Sequence, residues 1–122
     1  MTFVTAGCYR AQVERLTQVL ISLYPGSTIY QHTNLLRVPH DVLNHNVDAV
    51  FLDAEMDQTN SLDFMQMLRR QKSDLPVFII SQTEDLREAA AKAGANDYFV
   101  QPVTEQQLRD AIRSVKNKEN AS

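Results

Sequence analysis

Short apolar runs alternate with stretches of helical periodicity five times along this chain. Phe3 to Ala6 predicts a short strand. Val13, Leu16, Val19, Leu20 and Leu23 then recur at the spacing that lines one face of a helix, and Pro25-Gly26 stops it. Thr28-Ile29-Tyr30 reads as a second short strand. Between Leu35 and Asn46 the pattern is weakest. Pro39 inside a helix would remove a hydrogen bond and clash, so a short helix starting near it is the better reading. Val47 to Leu52 is nearly all apolar, as expected of a strand covered on both faces of a parallel sheet. Asn60 or Ser61 can cap a helix carrying Leu62, Met65 and Leu68. Pro76 opens a fourth strand, Val77 to Ser81. Thr83 begins an alanine-rich helix that stops at Gly94, a residue suited to a left-handed helix end. Asp97 to Val100 is the fifth strand. Thr104 with Gln107 three residues on is a capping-box signature, and Leu108, Ala111, Ile112 and Val115 give the last helix its apolar face.

Five strand–helix pairs predict an α/β fold: one parallel sheet, right-handed crossovers and helices on both faces. In such sheets the functional site lies outside the carboxyl ends of the central strands. Those ends carry Ala6-Gly7-Cys8, Asp53, Ser81 and Gln101. Asp53 stands out, a carboxylate closing the most apolar short run, with an acidic and polar loop behind it.

Composition narrows the function. A length of 122 residues fits one domain with a real core. The net charge of −3 gives no attraction for nucleic acid or an anionic membrane. No apolar run approaches the roughly 20 residues that span a bilayer, and the first residues lack a signal-peptide pattern. A lone Cys8 excludes an internal disulfide and fits a reducing compartment. The expectation is a cytoplasmic domain over residues 1–116, with 117–122 a polar tail or the start of a linker.

Four features occur in the order and spacing of a known family. An Asp ends the third strand in Leu52-Asp53-Ala54-Glu55-Met56, with Met three residues on. The fourth strand closes on a hydroxyl residue, Ser81. Ala93-Gly94-Ala95-Asn96-Asp97-Tyr98 leads into the fifth strand, and Gln101-Pro102 follows it. In these residues the chain resembles the receiver domain of two-component response regulators, over nearly its whole length. The resemblance implies a flavodoxin-like (βα)5 three-layer sandwich. It makes Asp53 the phosphoacceptor position, Ser81 the switch hydroxyl and Tyr98 the switch aromatic. Gln101-Pro102 takes the place of the family's Lys-Pro, whose peptide bond is usually cis. It also implies a histidine kinase or other signalling protein as partner. The face of the fourth helix, fifth strand and fifth helix becomes a docking surface for a partner or a second copy.

The departures matter as much. Receivers hold Mg²⁺ with the phosphoacceptor and two acidic residues after the first strand; Gly7 and Cys8 stand there instead. Gln101 replaces the Lys that contacts the phosphoryl group. Asp57 stands where a Pro follows the Met, and Ser61 where a Gly opens the next helix.

An Asp carboxylate can attack a phosphoryl group, but positioning and charge neutralisation carry most of that chemistry. Mg²⁺ takes hard oxygen ligands, and a thiol does not suit it. Gln101 can donate a hydrogen bond but brings no positive charge, and charge-assisted bonds are about twice as strong as neutral ones. Glu55 and Asp57 could lend oxygens to a metal shell with Asp53; solvated loop acids are the simpler reading. The reading that follows is an atypical receiver with weak or no Mg²⁺-dependent phosphorylation at Asp53, acting through protein–protein contacts, and not an enzyme beyond self-phosphorylation. One rival is a competent phosphoacceptor, helped by Glu55 or Asp57, controlling a downstream and possibly DNA-binding output domain. Another is a small-ligand or thiol redox sensor with Cys8 at the strand-end crevice, although a reduced, partly buried thiol is the plainer view. His32, His40 and His45 lack metal-ligand spacing, and Arg109, Arg113, Lys116 and Lys118 read as a solvated helix face.

Overall fold

Strands as apolar as Val77–Ser81 have no side to turn to water, so they pair edge to edge and helices cover both sides. The computed structural model describes residues 1–7, 9–54, 61–72 and 74–121. The elements run β1 (Thr2–Ala6), α1 (Arg10–Leu23), β2 (Thr28–His32), α2 (Val38–Asn44), β3 (Ala49–Asp53), α3 (Ser61–Gln71), β4 (Val77–Ser81), α4 (Arg87–Ala93), β5 (Asp97–Val100) and α5 (Glu105–Ala121). All strand pairs are parallel, in the order β2-β1-β3-β4-β5. The flavodoxin-like three-layer sandwich predicted above is the fold observed.

Alternation along the strands splits the core in two. Phe3, Phe51, Phe78 and Phe99 pack with Leu20 of α1 and Leu108 and Ile112 of α5. The Phe51 and Phe78 rings stack with centroids 5.1 Å apart. On the other face Val4, Val50, Leu52 and Ile79 meet Val42 of α2, Met65 and Leu68 of α3, and Ala90 of α4. Every residue of β3 and β4 is buried.

Several boundaries move for identifiable reasons. β3 begins at Ala49, not Val47, because Asp48 is spent on a clamp. Its N–H donates to the Thr2 carbonyl at 2.7 Å, and its carboxylate accepts the Thr2 N–H at 2.7 Å. β2 continues to His32, whose ring pairs with the Asp41 carboxylate of α2. α4 starts at Arg87 and not at Thr83. The Thr83 hydroxyl accepts the Asp85 N–H at 3.4 Å, and the Arg87 N–H closes a turn on the Glu84 carbonyl at 3.1 Å. Side-chain-to-backbone bonds of this kind hold a segment out of a helix. Other expectations match: Pro39 lies in the first turn of α2, Gly94 ends α4 at φ 104°, and Thr104 and Gln107 exchange capping bonds at 3.0 and 3.1 Å.

Lys116 corrects the reading of the basic face of the last helix as solvated. Its ammonium donates to the Asp48 carboxylate at 2.6 Å, tying α5 to the foot of β3. Burial pushes the Asp48 carboxyl up, but the bonds from Lys116 and the Thr2 N–H outweigh it and hold the group below its usual range.

Two predictions follow from the packing. Phe78→Ala removes the centre of the aromatic stack and is expected to cost about 3–5 kcal/mol in urea denaturation. Lys116→Met is expected to cost about 0.5–1 kcal/mol at pH 7. The Asp48 carboxyl is lowered in the folded state, so its contribution is complete above its unfolded value of about 3.9 and fades as pH falls through the folded one. The difference between Lys116→Met and the parent should therefore shrink in acid; a gap that persists at pH 2 would exclude the ion pair as its source.

Candidate functional site

From β1 the chain crosses to β2 on one side, and from β2 it returns past β1 to β3 on the other. The strand order reverses between β1 and β3, and a crevice opens at their carboxyl ends. Gly7 follows β1 there, and Asp53 ends β3. Asp53 is 8% exposed, a carboxylate held at the rim of the core. A Cβ added at Gly7 would lie 3.4 Å from the Asp53 Cβ and 3.5 Å from its Oδ2. An acidic side chain at position 7 would therefore stand beside Asp53; in this chain the place holds no side chain.

The backbone of Asp53 is fixed from both sides. The Ala54 N–H donates to the Ile80 carbonyl at 2.8 Å, and the buried Ser61 hydroxyl donates to the Asp53 carbonyl at 2.6 Å. Ser61 thus anchors the start of α3 on the end of β3. Gln101 enters the same cleft from the turn after β5. Its N–H donates to the Ser81 carbonyl at 2.8 Å, and the Gln101-Pro102 bond is cis, as the resemblance implied. Its side-chain amide donates to Gln12 Oε1 of α1 at 3.1 Å.

The structure brings Asp53, Gly7 and Gln101 to one cleft. Ser81 and Tyr98 stand on the opposite face of the sheet, joined to each other through Thr83. The Ser81 hydroxyl accepts the Thr83 N–H at 3.2 Å, and the Tyr98 hydroxyl donates to the Thr83 carbonyl at 2.6 Å. Tyr98 is buried, with the Arg87 guanidinium 5.0 Å from its ring centroid and bonded to its carbonyl at 3.1 Å. Cys8, Glu55, Met56, Asp57 and Asn60 lie outside the described residues. Gln12 and Arg87 went unnoticed in the sequence. The partner of Gln12 lies 89 residues away; Arg87 pairs locally with Glu84, but its bond to the Tyr98 carbonyl spans 11 residues.

The donor set of a divalent cation can be weighed directly. Among the described residues Asp53 is the single carboxylate lining the cleft, and no group of three or more His, Cys, Asp or Glu converges. Mg²⁺ takes one or two carboxylates along with phosphate oxygens and waters. Among the described residues Asp53 would supply that carboxylate, and the neutral amide of Gln101 stands in the same cleft.

The model of the response regulator receiver domain matches residues 10–113. The chain belongs to this family. This receiver domain is 34% identical over 77 residues to the response regulator protein TodT of Pseudomonas putida, covering 62% of the chain and 34% of TodT. It is 28% identical over 95 residues to a chemotaxis protein CheY homologue of Campylobacter jejuni, covering 69% of the chain and 73% of that protein. The chain spans about a third of the length of the first curated relatives it matches. A receiver domain from Clostridium thermocellum superposes with a TM-score of 0.85 at 21% identity, covering 98% of this chain and 97% of that one. That likeness establishes the fold alone. Receiver domains work in two-component signalling with histidine kinases and use Mg²⁺ when phosphorylated. Among the described residues, no helix of this one is long and apolar enough to cross a membrane.

Ser61 gives the site's own prediction. Ser61→Ala leaves the Asp53 carbonyl without its hydroxyl donor and is expected to cost about 1 kcal/mol. The amide resonances of Asp53 and Ala54 should shift with it; unchanged resonances at both would show that the bond does not hold the strand end.

Proposed function

We propose that this receiver domain is an atypical member that signals mainly through protein–protein contacts, with weak or no Mg²⁺-dependent phosphorylation at Asp53. The observation that carries the reading is the pair of neutral positions around Asp53. Gly7 supplies no carboxylate at the point where one would touch the Asp53 side chain. Gln101 supplies no charge, and its amide already bonds to Gln12. A phosphoryl group entering here would lack the charge-assisted bond that a Lys at position 101 gives, although Arg15 also lines the cleft. Ser81 and Tyr98 keep the switch positions, and the hydrogen-bonded loop between them offers a route from the strand ends to the surface of α4 and β5.

The partner in this reading is a histidine kinase or another signalling protein, or a second copy of the chain, docked on the face of α4, β5 and α5. The setting is cytoplasmic, and the domain itself does not bind nucleic acid. The names of relatives such as TodT and the alkaline phosphatase synthesis transcriptional regulatory protein SphR of Synechococcus elongatus support a regulatory output domain as the receiver of the signal. A second reading, a competent phosphoacceptor at Asp53 with Glu55 or Asp57 assisting a metal, is favoured by the buried, well-anchored carboxylate.

Incubation with Mg²⁺ and a small phosphodonor, read by intact mass, separates the two. Little or no adduct is expected. A stoichiometric adduct that Asp53→Ala abolishes would establish the second reading. The triple variant Gly7→Asp, Cys8→Asp, Gln101→Lys is expected to gain Mg²⁺ affinity and phosphorylation together. The new Cβ at position 7 lies 3.1 Å from Val13 Cγ2, so adding Val13→Ala should increase the gain.

A further inference from the structure

Arg87 opens α4 as a cation in the first turn of a helix, where the backbone dipole presents its positive end. The helix by itself is better served there by an acid, so the position answers to something outside α4. Its guanidinium shows what. It forks onto the Glu84 carboxylate, Nε donating to one oxygen and an Nη to the other at 3.1 Å. The second Nη crosses to β5 and donates to the Tyr98 carbonyl at 3.1 Å. The same planar group stands 5.0 Å from the centroid of the Tyr98 ring.

Tyr98 is thereby held from several sides. It is 4% exposed and belongs to the core cluster that includes Ala90 of α4. Its hydroxyl donates to the Thr83 carbonyl at 2.6 Å, and Arg87 closes the outer side of the ring. Every hydrogen bond in this set lies within residues 83–98, so the seat of the ring uses no group of the Asp53 cleft. The Glu84 and Arg87 side chains are 64% and 48% exposed. An ion pair so exposed adds little to global stability. What the fork does is fix the plane of the guanidinium, and a fixed plane is what both the ring and the carbonyl of Tyr98 engage.

We infer that Arg87, steadied by Glu84, is a strap that keeps Tyr98 buried, so that α4 and β5 present one surface whether or not Asp53 carries a phosphoryl group. The inference rests on the reading above, in which Tyr98 keeps a switch position and contacts on this face carry the signal. Arg87 is then a positioning residue for Tyr98, and Glu84 one for Arg87. It gives that reading a physical means: a switch residue strapped from its own helix needs no event at the cleft to hold it.

The test is NMR of the chain with ¹³C-labelled tyrosine rings, Tyr98→Phe identifying the Tyr98 signals, with a soluble gadolinium chelate reporting ring exposure. In the parent the Tyr98 ring is expected to be protected both before and after incubation with Mg²⁺ and a small phosphodonor. Arg87→Ala should raise its exposed population about tenfold, the worth of a hydrogen bond and a cation–π contact. Glu84→Ala should raise it less, because Arg87 keeps its bond to the Tyr98 carbonyl. Arg87→Lys, which keeps the charge without the fork, should restore part of the protection. The amides of α4 should stay as protected in Arg87→Ala as in the parent, since alanine suits a helix at least as well. A Tyr98 ring equally protected in Arg87→Ala and the parent would overturn the strap, as would loss of protection along the whole of α4. So would a parent ring that is exposed until Asp53 gains a phosphoryl group. An adduct at Asp53 with the ring protected throughout would leave the strap standing and remove the reading of weak phosphorylation. No adduct with an exposed ring in the parent would do the reverse.

Discussion

Burial of β3 on both faces is the constraint on which the rest of this domain hangs. Phe51 stacks into the aromatic core shared with α1 and α5, while Val50 and Leu52 are enclosed by the helices opposite. A strand held from both sides cannot slip by one residue without turning all of its side chains to the wrong face. Its register with β1 and β4 is therefore firm, and Asp53 is carried to one place at the carboxyl edge of the sheet. The Asp48 clamp to Thr2 and Lys116 fastens the foot of the strand, and Ser61 fastens its end.

What surrounds that fixed carboxylate decides what it can do. The topological switch point places Gly7 directly across from Asp53, and the cis peptide after β5 delivers Gln101 to the same cleft. A framework of this precision ordinarily serves charge, because preorganised groups cost nothing to reorganise when a reaction needs them. Among the described residues the framework places Asp53 in a cleft with the neutral Gly7 and Gln101, and Arg15 also lines it. Val13, Leu16, Phe51 and Ile80 make the cleft partly apolar.

Much of this could be read along the chain. Strand and helix order, the stop at Gly94, the capping pair Thr104 and Gln107, and the prominence of Asp53 all rest on local propensity and periodicity, which act over a few residues. Misplaced boundaries had a common cause. Thr83 looked like a helix start until its hydroxyl and carbonyl were seen engaged by Asp85 and Tyr98. Lys116 looked solvated until α5 lay across Asp48, 68 residues away.

By itself the sequence determined the fold class, the position of Asp53 at a strand end and the absence of acidic and basic helpers at Gly7 and Gln101, because each is a matter of residue identity and short-range period. Only the tertiary structure decided that Gln101 spends its amide on Gln12, that Tyr98 is buried beneath Arg87, and that Gly7 lies against the Asp53 side chain. Those are relations between segments tens of residues apart. No local energy term encodes them; they exist once the parallel sheet has closed and the helices have settled on its two faces.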